Sequence, residues 1–518
     1  MLDFFSKTKG RRLYYTINLV AGLAIFFFGY DQGMMSGVNT SPDYVRVMKL
    51  GYSTYEGPSE GYVATITEPT REGGIVSIYY LGTLIGALMG GVLGDRIGRI
   101  KTMLVGSLWV LIGASLQCSA QNIAWMLSRL TYLASAFIAS EFTLNIFGVV
   151  VAYWLEFGLG FVGDGNTQVR WRFPIAFQIL PVLAFMLLVP SMPESPRWLL
   201  KVGRSDEARS ILARLRSEDG NLEDARVAAE YEEIQGAVRL EKEHAAGNTY
   251  FAMFFGLHDG DLHVARRVQL SIWLQIVQEW VGIAAITVYA TTIFSQAGYS
   301  SRKAQWLSGL NDVTYMLSTL LAVVTIDRLG RRVGLWWGAV VQGIALFLAG
   351  GFSRLLKEHP EHSAQYGGAA ALFVFMYTAT FGATWLTIPW VYPTETFPLY
   401  VRAKGNAWGV VGWSIGNGWL TLLNPVMFNS IQENTLYIFG AVNFLAIPMV
   451  WAFYPETANR TLEEMDHLFM SKSPFVWDEE AHFKKWKDGE LEDREKTPPV
   501  LQPDVADVKV DEQKQEKA

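Results

Sequence analysis

The sequence Gly91-Val92-Leu93-Gly94-Asp95-Arg96-Ile97-Gly98-Arg99-Ile100-Lys101 joins two long apolar stretches, and a shorter version recurs as Asp327-Arg328-Leu329-Gly330-Arg331-Arg332. Asp327 follows Asp95 by 232 residues, and the acid, the glycine and a base keep the same offsets. Two unrelated basic turns beside membrane helices are the alternative explanation. A repeat of this length predicts two homologous halves, the symmetry of many membrane transporters, whose substrate binds between the halves.

Composition predicts a membrane protein. The chain has 518 residues, of which 50% are hydrophobic and 14% aromatic, which is too apolar for a soluble protein of this size. A spanning helix needs about 20 apolar residues. The apolar runs lie at about 14–37, 74–94, 102–120, 123–161, 173–191, 267–296, 306–326, 334–352, 369–393, 405–428 and 435–454.

Several functional classes lack support in the sequence. The net charge of −6 gives no sign of nucleic-acid binding, and the single Cys118 cannot form an intrachain disulfide. No nucleotide-binding glycine loop, metal-ligand cluster or nucleophile triad is recognisable. We therefore expect no enzyme activity, no cofactor and no metal.

Basic loops mark the cytoplasmic side of membrane proteins, and they place both termini in the cytosol. The predicted regions are a cytosolic N-terminus at 1–13, an N-terminal helical half at 14–192, a cytosolic central loop with short helices at 193–266, a C-terminal helical half at 267–454, and a cytosolic tail at 455–518 that is disordered from about 478.

The first half is short by about one helix. Asp95 and Pro193 are 98 positions apart, whereas the equivalent Asp327 and Pro455 are 128 apart. The run 123–161 must supply two crossings with 39 residues, fewer than two spans of about 20 residues and a loop require. We expect twelve helices in the fold and about eleven in this chain, with one missing or truncated near 130–141. An error in exon prediction would cause this, and a genuine shortened isoform is the alternative.

Several strings occur in an order and spacing typical of one family. They are Phe28-Gly29-Tyr30-Asp31-Gln32-Gly33, Ala152-Tyr153-Trp154, Trp171-Arg172-Phe173-Pro174, Pro193-Glu194-Ser195-Pro196-Arg197-Trp198-Leu199, Ile388-Pro389-Trp390, Pro455-Glu456-Thr457 and Leu462-Glu463-Glu464-Met465-Asp466. With them the chain resembles, over about 12–470, the sugar porter family of the major facilitator superfamily, particularly its fungal hexose and polyol carriers. The resemblance implies an all-α membrane fold of two pseudo-symmetric six-helix halves, a functional monomer and a plasma-membrane location.

The resemblance also implies a site for a sugar or polyol, which needs hydrogen-bonding side chains and an aromatic face. The matching residues are Gln275, Gln278, Tyr289, Asn311, Trp390 and Asn417. Gln275 and Gln278 could instead only hold helices together. The chain departs from the family at Glu279, Ala284 and Val288, where a glutamine, an asparagine and a tyrosine are usual.

Asp31 is an acid in an apolar helix, which makes it a functional candidate. The resemblance implies that it takes the transported proton and pairs with Arg129, although Asp31 could also lie at the helix end among lipid headgroups. The loop charges are expected to pair between the halves as a cytosolic gate, or to act only as topology determinants. They are Asp95, Arg96, Arg99, Glu194, Arg197, Asp327, Arg328, Arg331, Arg332, Glu395, Arg402 and Glu456.

These features predict transport of a monosaccharide, a hexose or pentose, by alternating access, as a sugar:proton symporter. The alternatives are facilitated diffusion of a sugar or polyol, a nutrient sensor that does not transport, and an inactive product of a faulty gene model.

Overall fold

The computed structural model describes residues 8–126, 142–217, 219–244, 249–257, 260–471 and 473–496. Helices dominate these ranges, and one small β-hairpin is present. The first half contains α1 (Gly10–Val38), α2 (Pro42–Val47), β1 (Gly51–Tyr55), β2 (Tyr62–Ile66), α3 (Pro69–Ile97), α4 (Arg99–Cys118), α5 (Ile123–Met126), α6 (Phe142–Leu159), α7 (Val169–Phe177) and α8 (Ile179–Leu188). The strands are antiparallel, with Gly51 opposite Ile66.

The rest of the chain is also helical. The central stretch contains α9 (Pro196–Lys201), α10 (Ser205–Arg216), α11 (Ala225–His244) and α12 (Tyr250–Phe255). The second half contains α13 (Val264–Gln278), α14 (Ala284–Gln296), α15 (Ser301–Leu329), α16 (Arg331–Glu358), α17 (Ser363–Ala383), α18 (Ile388–Thr396), α19 (Arg402–Ser430) and α20 (Asn434–Phe453), followed by α21 (Leu462–Phe469) and α22 (Val476–Lys496).

Within the described ranges, 8 helical segments are long and apolar enough to cross a membrane, several of them formed by two consecutive helices. The helices α6, α15 and α19 pack alongside them and coincide with further apolar runs of the sequence. The total of about eleven crossings stays a prediction. The predicted defect near 130–141 lies outside the described residues.

The repeated loop has the same geometry in both halves. Gly98 separates α3 from α4 with φ +95°, and Gly330 separates α15 from α16 with φ +89°. The carboxylate of Glu194 accepts hydrogen bonds from the backbone N–H of Arg99 at 3.0 Å and Ile100 at 3.2 Å. The repeat therefore encodes a turn that only glycine adopts easily, followed by a helix start capped by an acid.

Glu456 makes the equivalent contacts in the second half. Its carboxylate accepts from the N–H of Arg331 at 2.8 Å and of Arg332 at 3.0 Å. The capped helix starts at Arg99 and Arg331 are thus 232 residues apart, as Asp95 and Asp327 are, and each is capped by an acid later in its half. The matching caps are a structural expression of the internal duplication.

The prediction of disorder from about 478 is wrong for the start of the tail, because α22 continues to Lys496. The ring of Trp486 stacks on His467 with centroids 4.0 Å apart, and Glu479 is fully buried against Arg266. The prediction rested on the polar average composition of the tail. That average does not show that two apolar side chains, Phe483 and Trp486, pack against α21.

Candidate functional site

A cavity of about 400 Å³ lies between the two halves. Its walls come from α1, α3, α4 and α6 on one side and from α13, α14, α18 and α19 on the other. It extends from Phe28 and Thr287 to Asp95 and Arg99 of the first repeated loop and to Lys404 at the start of α19. We call the face of the molecule that carries these loops the loop face, and the opposite face, with strands β1 and β2, the hairpin face.

Gln275 and Gln278 both line this cavity. Their side-chain N–H groups donate to backbone carbonyls where α17 gives way to α18: Gln275 to Pro389 O at 3.0 Å, and Gln278 to Trp385 O at 2.7 Å and Leu386 O at 3.0 Å. The carbonyls of Trp385 and Leu386 are available because the chain between Ala383 and Ile388 is not α-helical. The carbonyl of Pro389 is available because Pro393, four residues later in α18, has no N–H. Within the described residues, the Oε1 atom of each glutamine has no hydrogen-bond partner, so each could accept a bond from a ligand.

Trp390 also lines the cavity, at the start of α18. Its ring centroid lies 5.9 Å from that of Trp413, which lies 5.4 Å from that of Tyr80. Trp385, five residues earlier, is fully buried and donates its indole N–H to Leu335 O at 2.8 Å. The two tryptophans therefore differ in role: Trp390 offers an aromatic wall to the cavity, whereas Trp385 packs in the interior of the second half.

Three other predicted substrate residues are absent from the cavity wall. Asn311 is buried in α15, and the hydroxyl of Tyr289 donates to Thr421 O at 3.4 Å. Asn417 lies behind the wall, where its side chain interacts with Glu279. Of the six residues, the structure brings together Gln275, Gln278 and Trp390 in one cavity.

Asp31 lies elsewhere. It is buried in α1 and lines a second cavity of about 490 Å³, enclosed mainly by α1, α4 and α8. Its predicted partner Arg129 falls outside the described residues, so the geometry of that pair stays a prediction.

The loop charges form two separate networks. In the first half, Asp95 pairs with Arg99 and with Lys201, both at 2.9 Å, and Lys201 also pairs with Glu241 at 2.7 Å. Burial disfavours the charged form of Lys201, but its bonds to Glu241 and Asp95 outweigh that effect and raise its pKa.

In the second half, Arg331 pairs with Glu395 at 2.7 Å and with Asp327 at 3.0 Å. Among the described residues, the gate charges form ion pairs within one half. The predicted ion pairs between the halves belong to the state in which the loop face is closed, so they stay a prediction. Arg197 pairs with Glu241 at 3.5 Å and reaches the second half only through Leu399 O, at 3.2 Å. The reason is local, because the acid and base of each repeat are one helical turn apart.

Further gate residues have backbone partners. Arg332 donates to Trp451 O at 2.6 Å and Arg402 to Phe397 O at 3.3 Å. Arg96 and Arg328 take part in no ion pair of the described residues within 4.0 Å.

Hydrogen bonds join the halves at the hairpin face, in addition to those between Thr83 and Ser414 and between Thr143 and Thr319, both at 2.9 Å. The hydroxyl of Ser36 donates to Val288 O at 2.9 Å, and the hydroxyls of Tyr153 and Thr291 share a hydrogen bond. The hairpin face is therefore closed, while the cavity reaches the loop face. This arrangement corresponds to the state of an alternating-access protein that is open on the loop side.

Sequence reasoning singled out one intramembrane acid, and the structure buries four more, which are Glu72, Glu156, Glu279 and Asp312. Three of them lie inside the apolar runs 123–161, 267–296 and 306–326. A search of each run for ionisable residues would have found them. Of the four, Glu279 lines the cavity between the halves.

Comparisons with known proteins agree with this architecture. The chain matches the sugar (and other) transporter family over residues 17–132 and 130–469, and it belongs to that family. It is 30% identical to the MFS-type transporter oryC of Aspergillus oryzae, over 91% of this chain and 88% of that protein. It is also 30% identical to the sugar transporter STL1 of Saccharomyces cerevisiae, over 90% of this chain and 84% of the relative.

A solved structure shows the same fold. The proton:xylose symporter XylE bound to 6-bromo-6-deoxy-D-glucose aligns with a TM-score of 0.68 and 23% identity, over 88% of this chain and 98% of XylE. The protein is thus a multi-pass membrane transporter of the major facilitator fold, and the family consists of transporters, not enzymes. The family match breaks at 130–132, at the edge of the stretch where the sequence predicts a truncated helix.

Proposed function

We propose that the protein carries a monosaccharide, a hexose or pentose, across the plasma membrane by alternating access, together with a proton. The observation that supports this proposal most strongly is the cavity wall formed by Gln275, Gln278 and Trp390. Two amide oxygens accept hydrogen bonds from sugar hydroxyls, and the indole face covers the apolar face of a pyranose ring. The sugar transporter STL1 and the named substrate of XylE support the same substrate class.

The proposed cycle uses the two faces in turn. The loop face is cytosolic, because it carries the basic loops. In the state described here, the hairpin-face contacts Ser36–Val288 and Tyr153–Thr291 hold the outer side closed while the cavity reaches the cytosolic side. Rocking of one half against the other would break these contacts and bring the two loop networks together.

Proton coupling through Asp31 belongs to the same proposal. Protonation would remove the charge of a buried acid and weaken its attraction to Arg129, which would bias the carrier between its two states. Replacement of Asp31 by Asn should leave downhill exchange of sugar in place and abolish uptake against a gradient.

The test is uptake in yeast cells that lack their own hexose carriers. Cells that produce the protein should take up labelled D-glucose or D-xylose, with alkalinisation of an unbuffered medium. Gln278→Ala should reduce uptake, and Trp273→Ala, a change at an exposed position on the same helix, should not. Normal surface levels with no uptake of any monosaccharide would refute the proposal, and uptake without alkalinisation would indicate facilitated diffusion.

A second candidate is a chain that does not transport as written. The break in the family match at 130–132 favours it, because the affected helix of the first half would be the counterpart of α17 and α18, which supply Trp390 to the cavity. Sequencing the transcript across codons 120–160 decides this. An additional in-frame segment of about 30 residues, enough for one span and a loop, would mean that the carrier is the longer form. A transcript identical to this chain would favour the inactive product.

A further inference from the structure

Glu279 is an acid in the wall of the cavity between the halves. It begins the π-helical segment Glu279–Ile283 that joins α13 to α14, and Gly282 permits this distortion with φ +117°. Only 4% of the Glu279 residue surface is exposed. Single-turn π-helical insertions within α-helices occur frequently at functional sites. The position thus combines a costly buried acid with direct access to the cavity.

The surroundings of Glu279 are neutral or acidic. Its carboxyl interacts with the side chains of Asn417 and Trp413 on α19. The titratable groups that face it are Tyr315 on α15, which also adjoins Asp312, and Tyr377 on α17. Among the described residues, these interactions include no Lys, Arg or His. An intramembrane carboxylate in such surroundings needs a positive charge from outside the protein.

The cavity links this requirement to substrate binding. Gln278 precedes Glu279 directly, and both share the cavity with Trp390. A neutral ligand that fills the cavity displaces the water around the carboxylate and makes the uncompensated charge more costly. Ligand binding and protonation must then favour each other by the same factor, because linkage between two sites is reciprocal.

We propose that Glu279 takes up one proton with each substrate molecule and releases it when the substrate leaves. The proton comes from water on the side where the substrate enters, converts the carboxylate to the neutral acid and returns to water on the other side. This inference rests on the proposed function and adds to it a coupling acid inside the substrate cavity, whereas Asp31 lies in the second cavity.

The experiment uses the full chain in liposomes, with D-glucose, D-xylose and glycerol as probes. Exchange of labelled for unlabelled sugar needs no net proton movement, whereas sugar-driven alkalinisation of the outside does. Glu279→Gln keeps the shape of the side chain and removes its charge. The matched control is Glu72→Gln, which changes a buried acid of α3 that does not line the cavity.

The expected result is that Glu279→Gln retains exchange, while its alkalinisation per sugar falls by the one proton that Glu279 carries and keeps the one assigned to Asp31. Alkalinisation by Glu72→Gln should equal that of the wild type. Full alkalinisation in Glu279→Gln, with loss only in Asp31→Asn, would overturn the inference and leave the proposed function intact. Sugar uptake without alkalinisation in the wild type would overturn the inference and the proton coupling of the proposed function, and would leave sugar transport itself in place. A wild type that exchanges none of the probes would overturn both.

A binding measurement covers the case in which Glu279→Gln does not exchange sugar. Binding that takes up one proton weakens by up to about tenfold per pH unit on the alkaline side. Wild-type affinity, followed by tryptophan fluorescence in detergent, should show this dependence, and Glu279→Gln should bind with an affinity independent of pH. A pH-independent wild type, or a variant that melts normally and binds no sugar at any pH, would contradict the proposal.

Discussion

Replacing Tyr153 by Phe should open the hairpin face. The Tyr153 hydroxyl on α6 of the first half hydrogen-bonds to Thr291 on α14 of the second half, and the residue is almost fully buried. The substitution removes one oxygen atom and leaves the ring in place. Because this bond joins the two halves, it can exist only while the hairpin face is closed.

The size of the effect follows from the value of one buried hydrogen bond. Its net contribution is about 1 kcal/mol, which shifts a two-state equilibrium about fivefold. Ser36→Ala would remove the neighbouring bond to Val288 O. Ser36 and Tyr153 also interact, so the two substitutions should not be additive.

The assay measures access to the cavity. A single cysteine at Thr287, which lines the cavity, is introduced into a Cys118→Ala background and labelled with a membrane-impermeant maleimide from the outer side. The control is Tyr377→Phe, which removes a buried hydroxyl that donates to Val281 O at 3.2 Å within the second half. Since that bond lies inside one half, its loss should affect both states equally.

Tyr153→Phe should therefore raise the labelling rate about fivefold, and Tyr377→Phe should leave it unchanged. Equal rates in the wild type and Tyr153→Phe, or the same rise in both variants, would refute the assignment of the hairpin face as the closed gate.

Three further predictions concern stability and binding. Gly98→Ala should destabilise the protein by about 1–3 kcal/mol in thermal unfolding. The reasons are that φ is +95° at Gly98 and that an added Cβ would lie 2.6 Å from a carboxylate oxygen of Glu194. The control Gly74→Ala, at a position with open space around it, should be tolerated. Trp385→Ala should cost about 3–5 kcal/mol of stability, while Trp390→Ala should instead raise the sugar KM about fivefold, equivalent to about 1 kcal/mol of lost aromatic contact. Burial raises the pKa of Glu479 from 4.5 to about 7, so the stability that its protonation gives to the docked helix α22 is complete below pH 4.5 and is lost as the pH rises to 7. Limited proteolysis of the tail should then become faster over that range in the wild type and not in Glu479→Gln.

The sequence predicted the repeat and the membrane helices well, because both depend on local chemistry. A glycine followed by a base and preceded by an acid is sufficient to specify the turn at Gly98 and its copy at Gly330. The apolar runs likewise predict most crossings, since a helix in lipid must be apolar over about 20 residues.

The candidate site was predicted in part. Gln275, Gln278 and Trp390 reach one cavity, whereas Asn311 and Tyr289 do not line it. The orientation of Tyr289 depends on the π-helical segment after Gln278, which rotates the following residues of α14 relative to a regular helix. A sequence pattern gives positions along a helix but not such a local change of register.

The ion-pair partners of the gate residues could not be predicted from the sequence, for a different reason. An acid such as Asp95 or Glu395 can form an ion pair with a basic residue of its own half or of the other half. Which of these pairs forms depends on the conformational state of the carrier. In the present state, Asp95 pairs with Arg99 and Glu395 pairs with Arg331, each within its own half. The sequence gives the charges but not the state in which they are observed.

The most direct test of the account is counterflow in liposomes that contain the purified protein and are preloaded with unlabelled D-glucose or D-xylose. The account predicts transient accumulation of the labelled sugar inside, with the rate reduced at least tenfold by Gln278→Ala, whose wild-type side chain lines the cavity. No accumulation of any monosaccharide by a protein that unfolds cooperatively would contradict the claim that this cavity carries a sugar.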